Sequence, residues 1–81
     1  MLKIELYGVL QQVVGATELV VTELAAQSRV EDILARLAQE HPALLPHLKR
    51  IACAQGDSLV RRDQTVDASR PLILLPPVSG G

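Results

Sequence analysis

The sequence predicts an α+β domain, a mixed sheet with one main helix packed on one face, and three observations predict it. Leu2 to Tyr7 alternate apolar and polar side chains, the period of a half-buried strand. A stretch opening at Ser28 carries an apolar stripe at helical spacing. Leu72 to Leu75 form a short, wholly apolar run closed by Pro76 and Pro77, which end any strand ladder.

In the first strand Leu2, Ile4 and Leu6 face the core, while Lys3, Glu5 and Tyr7 face outward. Gly8 to Gly15 is too short for a helix stable by itself. It reads as a turn or short helical piece ended by Gly15 in the left-handed conformation. Glu18 to Leu24, with Val20 and Val21 in its middle, resumes a strand pattern after a hairpin-like connection at Gly15-Ala16-Thr17. Ser28-Arg29-Val30-Glu31 matches a capping box: the serine oxygen accepts from a free amide of the first turn, and Glu31 reaches back to the amide of Ser28.

Val30, Ile33, Leu34, Leu37 and Ala38 follow as one apolar stripe, with Asp32, Arg36, Gln39 and Glu40 mostly outside it. Pro42 stops this helix, because the residue before a proline avoids helical angles. Residues 42–49 read as a compact loop with one short turn. A third strand is expected over Arg50 to Ala54, a turn at Gln55-Gly56-Asp57 and a short strand over Ser58 to Arg61. Arg62 to Arg70 is polar and turn-like.

Strand, strand, helix, strand, short strand, strand is the order of a β-grasp, or ubiquitin-like, roll. The ferredoxin-type alternative needs a second helix of comparable length, which residues 42–70 do not supply. Residues 1–75 are expected to form the domain, and 76–81 a flexible tail ending in Gly-Gly.

Eighty-one residues allow one domain, of which roughly 60% of the unfolded surface can be buried. With 48% apolar residues a packed core is expected, and with Tyr7 as the sole Phe, Trp or Tyr it must be built from aliphatic side chains. Base stacking on aromatic rings has almost nothing to work with. A net charge of −1 gives phosphate backbones no electrostatic footprint, so nucleic acid is not an expected partner. Charge is uneven: residues 1–48 carry three basic groups against six acidic ones, and residues 49–81 five against three. One cysteine excludes an internal disulfide framework. No stretch has the pattern of a secretory signal or the length of a membrane span, so the expected setting is cytoplasmic, with no membrane partner.

The ending has a chemistry of its own. Pro76-Pro77 directly after a buried strand fixes the exit direction and denies further pairing. The six residues from Pro76 to Gly81 reach about 20 Å when extended. Gly80 and Gly81 have no side chains, so a narrow tunnel in another protein can admit them. A stiff root with a thin tip suits delivery of the Gly81 carboxylate. A carboxylate is a poor electrophile until one oxygen becomes a leaving group. Adenylation by ATP achieves this, and a sulfur nucleophile then displaces AMP to leave a thiocarboxylate. None of these steps needs a catalytic side chain from this chain.

The segment Leu74-Leu75-Pro76-Pro77-Val78-Ser79-Gly80-Gly81 resembles the ending of the MoaD family, the small sulfur-carrier subunits of molybdopterin synthase. The similarity extends over the opening strand to Tyr7, Val13-Val14-Gly15, the capped helix and Leu59-Val60. The resemblance implies a β-grasp fold and a Gly81 that is first adenylated, then thiocarboxylated. The expected partners are a ubiquitin-activating-type adenylyltransferase, a sulfurtransferase and the large molybdopterin synthase subunit. In the resulting heterotetramer the loaded tail passes sulfur to a pterin precursor. No cofactor is expected to be bound; ATP is used by the activating enzyme. Two departures stand out. Ala68-Ser69-Arg70-Pro71 replaces the usual Gly-Asp turn, and Ala54-Gln55-Gly56 stands where Val-Asn is usual.

With Leu72 and Leu74 pointing inward, Ile73 and Leu75 point out, beside the outward Tyr7. Leu59 can join them, so Tyr7, Leu59 and Leu75 are the expected partner contacts, as the family's use of its sheet face implies. Cys53 reads as a buried, inert thiol. His41 and His47 lack the cysteine or carboxylate partners of a metal site, and Arg61-Arg62 reads as a solvated pair. Other readings are a sulfur carrier for cysteine, thiamine or a related pathway, a ubiquitin-like protein modifier, and an interaction domain with an inert tail. The double proline speaks against the thiamine carrier. A stand-alone enzyme is disfavoured, since no nucleophile, base and orienting group can be assembled.

Overall fold

A computed structural model of the chain describes residues 1–77. Strands β1 (Leu2–Leu6), β2 (Glu18–Val21), β3 (Ala52–Gln55), β4 (Ser58–Val60) and β5 (Leu72–Leu75) form one sheet in the order β2-β1-β5-β3-β4. The first and last strands lie parallel at its centre, with Ile4, Glu5 and Leu6 opposite Leu72, Ile73 and Leu74. The other three pairings are antiparallel. Helices α1 (Val9–Val14), α2 (Val30–Glu40) and α3 (Leu45–Leu48) complete the chain, with a 3-10 turn over Pro42–Leu44. The long helix α2 packs on one face of the sheet, and the architecture is the expected β-grasp roll.

The strand and helix periods explain the core. Leu2, Ile4 and Leu6 of β1 and Leu72 and Leu74 of β5 are buried, facing Val30, Ile33, Leu34 and Leu37 of α2. Leu10, Leu44 and Leu48 extend the same cluster from α1, the 3-10 turn and α3. Gly15 ends α1 at φ 81° and ψ 22°, the left-handed geometry expected of it.

β1 and β4 stop one residue short of expectation, at Leu6 and Val60, and a 3-10 turn with α3 occupies 42–48 where the sequence predicts a loop with one short turn. Three further boundaries differ, each for a tertiary reason. β2 stops at Val21 rather than Leu24, because Val21 lies opposite Leu2, where β1 begins and the ladder has no further partner. β3 begins at Ala52 rather than Arg50 and takes in Gln55, so the turn to β4 is made by Gly56 and Asp57. Helix α2 is capped one residue later than Ser28-Glu31 implied: Arg29 is the N-cap, and its N–H donates to Asp32 Oδ2 at 2.9 Å. The Ser28 hydroxyl instead donates to the Ala25 carbonyl. A serine cap is dispensable because the 62–66 segment runs along the helix start. The N–H groups of Val30 and Glu31 donate to the carbonyls of Gln64 and Arg62, and Val66 donates back to Ser28.

Arg61 and Arg62 are also not an equivalent solvated pair. Both are exposed, but Arg61 meets Asp63, whereas the Arg62 guanidinium donates to the carbonyls of Leu48 and Ile51 and ties down the end of α3.

The two departures from the family pattern prove to be one structure. Gln55 is a buried polar side chain, and its amide nitrogen donates to the carbonyls of Asp67 and Arg70 at 2.8 and 3.0 Å. Its amide oxygen accepts from the Asp67 N–H at 3.0 Å. The altered turn is thus clamped by the altered strand end. Within the turn, the Ser69 hydroxyl and N–H both donate to the Asp67 carboxylate. Those bonds, and then the Arg70 charge, hold that carboxyl below its ordinary range.

Gln55→Ala should lower the unfolding free energy in urea titrations by about 1–3 kcal/mol, since it orphans an amide and two carbonyls at once. The Asp67 value is depressed in the folded state, so its stabilisation is fully present above the ordinary aspartate range and is lost as pH falls through the depressed value. Ser69→Ala should therefore lower the melting temperature more at neutral pH than in strong acid.

Candidate functional site

Strand β5 is paired on both sides, to β1 through Leu74 and to β3 through its end at Leu75. Pro76 follows, and with no N–H it cannot extend either ladder. Because β1 and β5 are parallel and in register at Leu6 and Leu74, the chain leaves both strands at the same end of the sheet. Tyr7 and Gly8 after β1 therefore run beside Leu75 and Pro76. Gly8 has φ 59° and ψ −136°, a conformation that side chains rarely permit. A Cβ on Gly8 would also lie 2.9 Å from Pro76 Cγ. The bare backbone of Gly8 is the seat of the Pro76 ring. Pro76 is half-buried there, and Pro77 is exposed.

The sheet face away from α2 carries the expected contacts. Leu59 lies opposite Ala54, which lies opposite Ile73, which lies opposite Glu5. In the adjacent row Ala52 lies opposite Leu75, with Tyr7 next along β1. Tyr7 is 44% exposed and Leu59 71% exposed, while Ile73 and Leu75 are half-buried. Tyr7 and Leu75 are thus neighbours, and Leu59 stands on the outer strand of the same face. The Tyr7 hydroxyl donates to Glu5 Oε1 at 3.1 Å, and this bond, with the Glu5 charge, raises the phenol above its ordinary value.

On its other flank the root of the tail borders a cleft of about 710 Å³. Val9 of α1 and Leu45 of α3, 43% and 54% exposed, supply apolar wall together with Pro76 and Pro77. His47, Lys49 and Arg50 also line it, and among the described residues no carboxylate does.

Residues Val78, Ser79, Gly80 and Gly81 of the expected site lie outside the described residues. Cys53 is buried in β3, and burial pushes its thiol up by more than the Arg62 charge draws it down. That suits an inert thiol. Among the described residues no group of histidines, cysteines and carboxylates could hold a metal ion, His41 and His47 included. No helix among them is long and apolar enough to cross a membrane.

A model of the ThiS family matches residues 4–81, nearly the whole chain. The chain belongs to the ThiS family. SAMP1 from Haloferax volcanii has a solved structure that superposes with a TM-score of 0.85 at 26% identity, covering 99% of this chain and 98% of that one. A second structure, of H. volcanii small archaeal modifier protein 1, gives 0.80 at 23% identity over 95% and 97% of the two chains. A Pyrococcus furiosus protein named as subunit 1 of a molybdopterin converting factor gives 0.81 at 19% identity over 95% and 97%. The last two likenesses support the fold alone. Curated protein sequences gave no match.

Membership places the chain in the MoaD/ThiS superfamily to which its ending pointed, with a fold shared by sulfur carriers and ubiquitin-like modifiers. Within this ThiS-family domain, sequence reasoning missed Gly8 and the cleft. A glycine closing the first strand was a visible turn signal, but its contact with Pro76 spans almost the whole chain. Gly8→Ala should destabilise the domain by about 1–3 kcal/mol through backbone strain and should displace Pro76. Thermal melts and amide chemical shifts of residues flanking the tail root check both effects.

Proposed function

We propose that this ThiS-family chain is a sulfur carrier, the small subunit of a molybdopterin synthase, whose reactive group is the carboxylate of Gly81. In this reading a ubiquitin-activating-type adenylyltransferase binds the domain and ATP. A Gly81 carboxylate oxygen attacks the α-phosphate, and pyrophosphate leaves. The outer sulfur of a sulfurtransferase persulfide then displaces AMP to give an acyl disulfide, and a second thiol attacks the sulfurtransferase sulfur, forming a disulfide there and releasing the Gly81 thiocarboxylate. The loaded tail enters the large synthase subunit and gives its sulfur to a pterin precursor, two such carriers serving one heterotetramer. ATP is a substrate of the activating enzyme, and this chain needs no cofactor of its own. A cytoplasmic setting supplies the ATP.

One observation carries the reading: a Gly-Gly ending follows a root that the fold holds in place, Pro76 on Gly8 at the exit of a doubly paired strand. A tip meant for a narrow tunnel gains from such a root, because ordering the approach beforehand lowers the entropy lost on docking. Tyr7, Leu59 and Leu75 are the proposed docking contacts: exposed Tyr7 and half-buried Leu75 lie beside that root, and exposed Leu59 stands farther out on the same sheet face. Pro76, Pro77, Val78, Ser79 and Gly80 serve as the arm.

A second reading, a protein modifier joined to lysines through Gly81, is favoured by the likeness to SAMP1 over 99% of the chain. Both readings use the same adenylate and differ in the nucleophile, sulfur or an amine.

Incubation with the activating enzyme, ATP and a sulfur source should exchange one oxygen of the chain for sulfur, read by intact-mass spectrometry and located at Gly81 by fragmentation. Deleting Gly81 should abolish the exchange. A chain that acquires no sulfur but appears in higher-mass isopeptide conjugates is the modifier instead.

A further inference from the structure

The cleft on the helix side of the tail root shares Pro76 and Pro77 with the tail, lies apart from the Tyr7–Leu59–Leu75 face, and is lined by cations with no carboxylate among the described residues. Lys3, Arg36, Arg61 and Arg70 each meet a carboxylate at 3.1 to 3.5 Å. The other four cations, Arg29, Arg62, Lys49 and Arg50, meet none among the described residues, and it is Lys49 and Arg50, both exposed, that line this cleft. The apolar part of the same wall, Val9, Leu45 and Pro46, is contributed by the two short helices, with Pro76 and Pro77 as its border with the tail.

Any protein that draws the tail into a tunnel must bring the tunnel's rim around Pro77. On this flank the rim covers Lys49 and Arg50. Removing two cations from water without counter-charges is strongly unfavourable, so a rim that closes here must supply carboxylates. Val9 and Leu45 reward an apolar tip between them. Resting on the carrier reading above, we infer that this cleft is a second docking surface, and that its occupant is an acidic element with an apolar tip on the enzyme that adenylates Gly81. The sheet face grips one side of the root and the cleft the other. The carboxylates of the rim steer the encounter, so association weakens as salt rises.

The test uses the full chain and the adenylyltransferase encoded in the same genome, read by ATP–pyrophosphate exchange with the carrier concentration varied. The Lys49→Glu/Arg50→Glu double variant should raise the KM for the carrier about tenfold at low salt. It should leave kcat and the KM for ATP unchanged and flatten the salt dependence. Lys49→Arg should behave as the parent chain. Leu45→Ser, at an exposed position, should raise the carrier KM severalfold without changing the salt slope. Arg29→Glu, a charge change at the far end of α2, should alter none of these, and circular dichroism checks that every variant is folded.

An unchanged carrier KM for the folded double variant overturns the inference while leaving the carrier reading intact. A change confined to the KM for ATP overturns it in favour of a phosphate contact. Dimerisation of the parent chain that the double variant abolishes, seen in sedimentation, assigns the cleft to a second copy and overturns it too. Failure of the parent chain to be adenylated at all refutes the carrier reading, and the inference falls with it.

Discussion

The parallel pairing of β1 with β5 at the centre of the sheet is the constraint on which the rest of the molecule depends. It joins the two ends of the described chain, and the strands that flank it are added outward by antiparallel connections. A central parallel pair needs both strands to bury one face, and the alternation of Leu2, Ile4, Leu6 against Leu72, Leu74 does so under α2. Parallel strands also leave a sheet at the same end. That single fact sets Gly8 under Pro76 and Tyr7 beside Leu75, so the root of the tail inherits its position from the most buried part of the fold.

The surroundings of the tail root divide into two flanks of different character. The sheet flank is apolar and holds Tyr7 and Leu75, with Leu59 farther out on β4. The helix flank is a cleft in which apolar side chains adjoin Lys49 and Arg50, which meet no carboxylate among the described residues. An apolar surface supplies affinity without direction, whereas charge discriminates between partners and sets encounter rates. On the carrier reading proposed above, charging by one protein and discharge by another would use both kinds of surface, because each partner can weight them differently.

Away from the tail, the far side of the sheet is organised by hydrogen bonds rather than burial alone. Gln55 closes the 67–70 turn, the carbonyls of Arg62 and Gln64 cap α2, and Arg62 ties down α3. These contacts let a long polar segment with no regular structure of its own be held by backbone groups that would otherwise face water. The two places where this chain departs from the family's usual residues meet across one side-chain amide. Neither touches the tail root.

The local periods were legible in the sequence. Alternation over residues 2–7 named the inward side chains, the stripe from Val30 to Ala38 named the buried face of the helix, and Gly15 named its own left-handed turn. The order of elements was enough for the β-grasp roll, because few arrangements bury those faces together. The ending's residue types pointed to the carboxylate of Gly81. What tertiary structure decided were matters of partner: where β2 ends, which residue caps α2, and what Gln55 and Arg62 bind. The seat of Pro76 on Gly8 and the cleft of Lys49 and Arg50 belong to the same class. Periodicity reports how a residue relates to its near neighbours, a few positions away. It carries no term for a group brought alongside from the other end of the chain, and the features that flank the tail root are all of that kind.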